Sequence, residues 1–299
     1  MMGIFLIVLA CCLWAIDTLI RYPLLANGVS AERIVFTEHI LLVAVFLPLI
    51  MSKWKKIWSL QVSHLFYFFM IGGVGSAAAT LAFTKAFALV NPSAVILLQK
   101  FQPIVAIIMA RIVLQESLKR EFLLWAGLCL VGGLMITHHD LVAGLKELLN
   151  GDHLSNPRSL QGYAFAGLAV MGWGMATVFG KKLTLQGLSP KEIMAGRFFF
   201  GFLCLLPLPF MTDLDFDLAP WTWGRIAVMV FLSGLLAMYF YYRGLHKISA
   251  RAAALAEMFF PFCAISVNWI FLNKALDPVQ LLGGALLLIA ATVIQLKHY

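Results

Sequence analysis

Charge is scarce in this chain. Asp, Glu, Lys and Arg make up 12% of its residues, about half of the ~25% usual in a soluble domain. With 62% hydrophobic residues and a mean hydropathy of +0.92, a water-soluble fold is excluded. Long polar stretches that would build a soluble output domain are missing, which argues against a sensor or scaffold. No G-x-x-x-x-G-K-S/T loop occurs, so ATP hydrolysis is not expected. No H-E-x-x-H or paired-cysteine spacing occurs either, which removes the usual zinc sites. His138-His139-Asp140 is suggestive. Three consecutive residues fan out around a helix, however, and no metal site and no cofactor is expected. No nucleophile and base converge in the sequence, so an intramembrane enzyme has no support.

The cysteines are few: Cys11, Cys12, Cys129, Cys204 and Cys263 all fall in apolar runs without C-x-x-C spacing. They read as reduced, buried packing residues. The N-terminus lacks a basic n-region and a small-residue cleavage site, so its first apolar run is expected to be a retained membrane helix. The net charge of +8 comes from basic residues scattered between apolar runs. That distribution suits membrane orientation and excludes nucleic acid as a partner.

What is abundant is long hydrophobic runs. Ten of them, 3–21, 33–51, 62–84, 93–114, 121–138, 160–180, 191–210, 223–243, 250–272 and 278–297, match the ~17–25 residues of a bilayer-spanning helix. The second half repeats the first. A shift of 159 sets Trp14 on Trp173, Thr18 on Thr177, Gly28 on Gly187 and Pro48 on Pro207. A shift of 158 sets Lys85 on Arg243, Gln99 on Glu257 and Pro103 on Pro261. Five helices per half put the second copy into the membrane from the opposite side. The expected fold is an all-α membrane protein of ten transmembrane helices, arranged as two inverted five-helix repeats. The repeats are 1–140 and 160–299. A connecting loop, 141–159, joins them and holds a short interfacial helix capped by Asp140 and stopped at Gly151. Thirteen Lys and Arg residues fall in the connections on one side and seven on the other. The richer side belongs in the cytoplasm, together with both termini.

Two stretches organise the site: Gln99-Lys100-Phe101-Gln102-Pro103 and Glu257-Met258-Phe259-Phe260-Pro261. Each proline denies a hydrogen bond to the carbonyl four residues back, that of Gln99 or Glu257. In hydrocarbon such a place needs protein or a wet cavity around it. The two stretches are expected to face one central hydrated site.

The residues also resemble a known family. Asn91-Pro92-Ser93-Ala94 leads to Gln102-Pro103, Glu116 and a glycine-rich fifth helix. Ser249-Ala250-Arg251-Ala252 leads to Phe260-Pro261, Lys274 and Gly283-Gly284. Nearly the whole chain resembles the EamA-type branch of the drug/metabolite transporter superfamily. The family often carries an acid where Lys274 stands. The resemblance implies transport of small organic compounds, with export favoured.

Five ionisable residues lie at membrane depth: Asp17, Glu38, Lys100, Arg197 and Glu257. Each costs about 2.5–3.5 kcal/mol at mid-bilayer, so they are expected to face inward and pair. Repeat symmetry suggests Glu38 with Lys100 and Arg197 with Glu257. Glu257 is the first candidate for proton coupling, followed by Glu38 and Asp17. Asn268 lies eleven residues after Glu257, about three helical turns. Trp14, Trp173, Tyr239 and Tyr242 are candidate cavity walls. Gln99, Lys100 and Arg197 complete the expected substrate set. Static ion pairs, interhelical hydrogen bonds and aromatic packing are the structural alternatives. The expected function is alternating-access transport of an amino acid or similar amphipathic metabolite across a prokaryotic inner membrane. A proton gradient or downhill exchange would drive it. A nucleotide-sugar or drug carrier is the alternative, though positive charge is sparse. Monomer and homodimer both stay open.

Overall fold

The computed structural model describes residues 2–52, 62–115, 120–149, 157–212, 219–245, 247, 256–257 and 259–298. The side chains of 144–149, 190, 242, 245 and 298 fall outside that description. The chain is an all-α bundle with about ten membrane-crossing helices. They are α1 (Met2–Ala26), α2 (Ala31–Ser52), α3 (Val62–Leu89), α4 (Pro92–Val113), α5 (Glu121–Leu149), α6 (Pro157–Leu185), α7 (Lys191–Met211), α8 (Pro220–Tyr241, continuing to Leu245), α9 (Phe259–Leu272) and α10 (Pro278–His298). Among the described residues nine are long and apolar enough to span a bilayer, and α9 is a shorter apolar helix. Their outer faces expose Leu124, Phe231, Trp269, Phe271 and Leu282, an apolar surface suited to lipid.

Helix ends follow local chemistry. Gly28 has φ +82° and Gly187 +86°, a region where only glycine is free of a Cβ penalty. At both, the glycine N–H bonds back three residues and the next N–H bonds back five. That pattern closes α1 and α6 with the same C-terminal cap. Two residues later Ser30 and Ser189 start the next helices, and Ser189 forms a reciprocal cap with Glu192. Gln115 and Asn273, 158 residues apart, also share a positive φ, 57° and 53°.

Among the described residues, stretches of three helices are wound as π- or 3₁₀-helix. In α3, Phe69–Ala78 is wound as a π-helix, and in α8 so is Val230–Leu236. In α4, Gln99–Phe101 tightens to a 3₁₀ turn. There the Gln102 N–H bonds the Gln99 carbonyl. Pro103 leaves that carbonyl without its ordinary donor, and the tighter turn supplies one locally.

The seam between α5 and α10 is built on small residues. A Cβ on Gly132 would lie 2.6 Å from the Gly283 oxygen, and one on Gly283 would lie 2.7 Å from the Gly132 oxygen. The two backbones therefore touch. Lys297 pairs with Glu121 at one end of this antiparallel seam, and Gln280 Nε2 donates to the Ile136 oxygen at 3.0 Å near the other.

Two expectations are corrected. The short helix expected after Asp140 is not a separate element, because α5 runs unbroken to Leu149. No proline stands in it and Gly144 does not break it, while Asp140 Oδ2 accepts the Tyr163 hydroxyl at 2.7 Å instead of capping. Cysteine burial is also uneven: Cys11 and Cys129 are buried, but Cys204 is exposed on the outer face. Glu116 and Ser249-Ala250-Arg251-Ala252 lie outside the described residues.

Candidate functional site

The site grows from one face of α1. Trp14, Asp17 and Arg21 are spaced i, i+3, i+7 and point the same way. Arg21 is 4% exposed. Its Nε meets Asp17 Oδ2 at 2.7 Å, its Nη2 meets Glu38 Oε2 at 3.2 Å, and its Nη1 donates to Thr84 Oγ1 at 3.0 Å. The Ser233 hydroxyl, in the π-wound stretch of α8, donates to Asp17 Oδ1 at 2.9 Å. Trp14 Nε1 donates to the Ser233 carbonyl at 3.1 Å. One guanidinium held between two carboxylates thus joins α1, α2, α3 and α8. Buried charge survives there because nearly every polar atom of the group has a partner.

Beside this network lies a cluster of rings. Trp14 and Tyr241 are 5.5 Å apart, centroid to centroid, and Trp14 meets Phe260 edge-on at 6.4 Å. The Tyr241 hydroxyl donates to Glu257 Oε1 at 2.8 Å. Lys100 Nζ lies over the Phe260 ring at 5.6 Å and within the electrostatic reach of Glu257. The two proline-bearing stretches therefore come together, α4 providing the ammonium, α9 the ring and Glu257, just before α9, the carboxylate. Such rings can stack on a planar molecule while the carboxylate and ammonium engage its polar edge.

The other candidates take different places. Trp173 packs on Phe83 at 5.0 Å. Arg197 Nη2 donates to the Gly75 oxygen at 3.1 Å, within the π-wound part of α3. The nearby His39, 1% exposed, bridges Val35 O (2.9 Å) and Ser76 Oγ (3.0 Å). Asn268 is fully enclosed. Its Oδ1 accepts from Thr18 at 2.7 Å and its Nδ2 donates to Ser93 Oγ at 3.2 Å. It fastens α1, α4 and α9 together. Gln99 is half-buried at the 3₁₀ turn.

The expected pairings are corrected. Glu38 pairs with Arg21 and not with Lys100. Glu257 accepts from Tyr241 and not from Arg197. Arg21 outcompetes Lys100 because it sits one turn from Asp17 and across from Glu38. Tyr239 is 54% exposed and holds Arg243 through its hydroxyl at 2.6 Å, away from the ring cluster. The Tyr242 side chain lies outside the described residues. Tyr241 and Phe260 are the site residues that sequence reasoning did not assign; Arg21, whose i, i+4 spacing from Asp17 allows a pair, makes it. A signal for Tyr241 existed: a shift of 158 sets it on Phe83, and each packs on the tryptophan of the opposite half.

Comparison with known proteins bears on this arrangement. A model of the EamA-like transporter family matches residues 1–138 and 160–296. The chain is 32% identical over 298 residues to the riboflavin transporter ImpX of Fusobacterium nucleatum, covering 96% of this chain and 95% of that protein. It is 29% identical over 147 residues to the uncharacterized transporter YoaV of Bacillus subtilis, 48% of each chain. One solved protein crystal structure superposes with a TM-score of 0.62 at 15% identity, covering 99% of this chain and 97% of that one; this is a likeness of fold alone. With the family's model matched in both halves and a full-length relative above 30% identity, the chain belongs to the EamA-like transporter family of the drug/metabolite transporter superfamily, a multi-pass membrane transporter of small organic compounds and not an enzyme.

Proposed function

We propose that the chain carries a planar heteroaromatic metabolite, riboflavin foremost, across a prokaryotic inner membrane by alternating access. The ring cluster of Trp14, Tyr241 and Phe260, edged by Glu257 and Lys100, carries this reading. A full-length relative named as a riboflavin transporter supports it. The amino-acid substrate suggested by the ionisable residues gives way to this one. Arg21 is occupied by Asp17 and Glu38, and the remaining central surface is dominated by rings.

The frame is two five-helix halves of opposite orientation that rock about the site. The family match in both halves and the recurring positive-φ residues at 28/187 and 115/273 support the duplication. The odd helix count supports the inversion. The excess of basic residues in alternate connections puts both termini in the cytoplasm. Glu257 is the proton carrier in this scheme. Its partner, the Tyr241 hydroxyl, can equally well donate to a bound ring, so substrate and proton address one carboxylate.

Counterflow in proteoliposomes tests the substrate without assuming a direction. Vesicles loaded with riboflavin are expected to accumulate labelled riboflavin saturably, and Trp14→Ala to lose most of that uptake. If riboflavin fails to exchange while another metabolite from a mixed pool does, the heteroaromatic reading falls and the family assignment stands.

A further inference from the structure

Away from the ring cluster, one set of ligating side chains converges among the described residues: His138 and His139 of α5, and Asp277 just before α10. One donor atom from each lies within 4.8 Å of the others. Consecutive helical residues diverge by about 100°, yet these two imidazoles lie 3.9 Å apart, and a second helix brings the third donor.

Each donor is oriented by a further contact. His138 Nδ1 lies 2.9 Å from the Met135 oxygen, so its proton is on Nδ1 and the Nε2 lone pair is presented outward. A backbone carbonyl behind the ring is the usual outer partner of a metal-ligating histidine. Asp277 Oδ1 accepts the N–H groups of Val279 at 2.8 Å and Gln280 at 3.0 Å. That leaves Oδ2, which lies 3.3 Å from His139 Nε2. Gln280 closes the arrangement, accepting from Asp277 N–H at 3.2 Å and donating to the Ile136 oxygen at 3.0 Å.

We propose that His138, His139 and Asp277 form a binding site for a divalent transition-metal ion, with Zn²⁺ the best match. Two imidazole nitrogens and one carboxylate oxygen are a zinc donor set, and water completes the tetrahedron. Bound ligands stand about 2.0–2.2 Å from the metal. The cluster reaches this by rotation of the His139 side chain, 69% exposed and free to turn. The ion ties α5 to the α9–α10 junction, at the opposite end of the seam from Glu121 and Lys297. In the alternating-access scheme α5 and α10 belong to different halves, so an ion there restrains their rocking.

The test reads binding directly and is independent of any transport assay. Tag-free full-length protein in detergent is titrated with Zn²⁺ by calorimetry and with Co²⁺ by visible absorption. One equivalent is expected to bind, with tetrahedral cobalt bands. His138→Ala, His139→Ala and Asp277→Asn are each expected to weaken binding about tenfold or more. Asn keeps the helix cap, and unchanged unfolding of the metal-free variants verifies their folds. Zn²⁺ is expected to raise the unfolding temperature of the parent but not of His138→Ala/His139→Ala. The proposal is overturned if no saturable binding occurs, or if the double variant binds as the parent does.

Discussion

Arg21 is where the bundle is most exposed to a single change. Its guanidinium is 4% exposed and serves Asp17, Glu38 and Thr84 at 2.7–3.2 Å. Arg21→Met keeps the length and apolar stem but leaves two carboxylates facing each other in the bundle interior. Removing one partner of a buried ion pair costs about 3–5 kcal/mol, which is a factor of about 10²–10⁴ in the folded-to-unfolded ratio. Because two acids share the one cation, the loss is expected at the upper end of that range. Titrating SDS into purified protein in mixed micelles measures it, followed by loss of helical circular dichroism. The informative comparison is Arg21→Met/Asp17→Asn/Glu38→Gln. Removing the three charges together takes away the desolvation cost along with the attraction, so most of the lost stability returns. An Arg21→Met protein within ~1 kcal/mol of the parent, or a triple variant no better than the single one, refutes the argument.

Gly132→Ala forces a Cβ to within 2.6 Å of the Gly283 oxygen and 2.9 Å of the Leu287 nitrogen, so α5 and α10 must part. A loss of roughly 1–3 kcal/mol is expected in the same titration. Gly127→Ala, with nothing within 4 Å, is expected to be neutral or stabilising by up to ~1 kcal/mol. Asn268→Ala removes the bonds that tie Thr18 and Ser93 across the bundle, leaving their hydroxyls only the Ala15 and Lys274 carbonyls. It is expected to cost about 1–3 kcal/mol of stability while leaving the KM for substrate unchanged in protein that remains folded; a raised KM at full stability contradicts the fastening role. Glu257→Gln keeps an acceptor for Tyr241 but cannot carry a proton. Exchange is expected to persist while its dependence on external pH disappears, and an unaltered pH profile assigns the proton elsewhere.

Run length alone made the spans legible, and a nearly constant offset of 158–159 between matching residues pointed to a duplication. Both are one-dimensional signals. Pairing is not. The apolar run of α1 breaks off at Arg21, so composition places that residue at a helix end. The helix continues to Ala26, and Arg21 is one of the most enclosed polar groups in the bundle. Asp17 was within reach at i−4, but Glu38 and Thr84 arrive only through packing of α2 and α3. The choice among Tyr239, Tyr241 and Tyr242 depends on helix phase. The π-wound stretch Val230–Leu236 lies just before them. Its wider turns shift the direction of every later side chain relative to a regular 3.6-residue count. Tyr239 therefore points outward and Tyr241 inward. The turn at Gln99 has a related cause: the carbonyl that Pro103 abandons is recovered one residue early by a local tightening.

The bare contact of α5 with α10 has a mechanical meaning. Where two main chains lie against each other at Gly132 and Gly283, no layer of side chains is left to act as a lubricant. Translation of one helix along the other would drive carbonyl into carbonyl. In the proposed alternating-access scheme that seam is a keel, about which the halves tilt rather than slide.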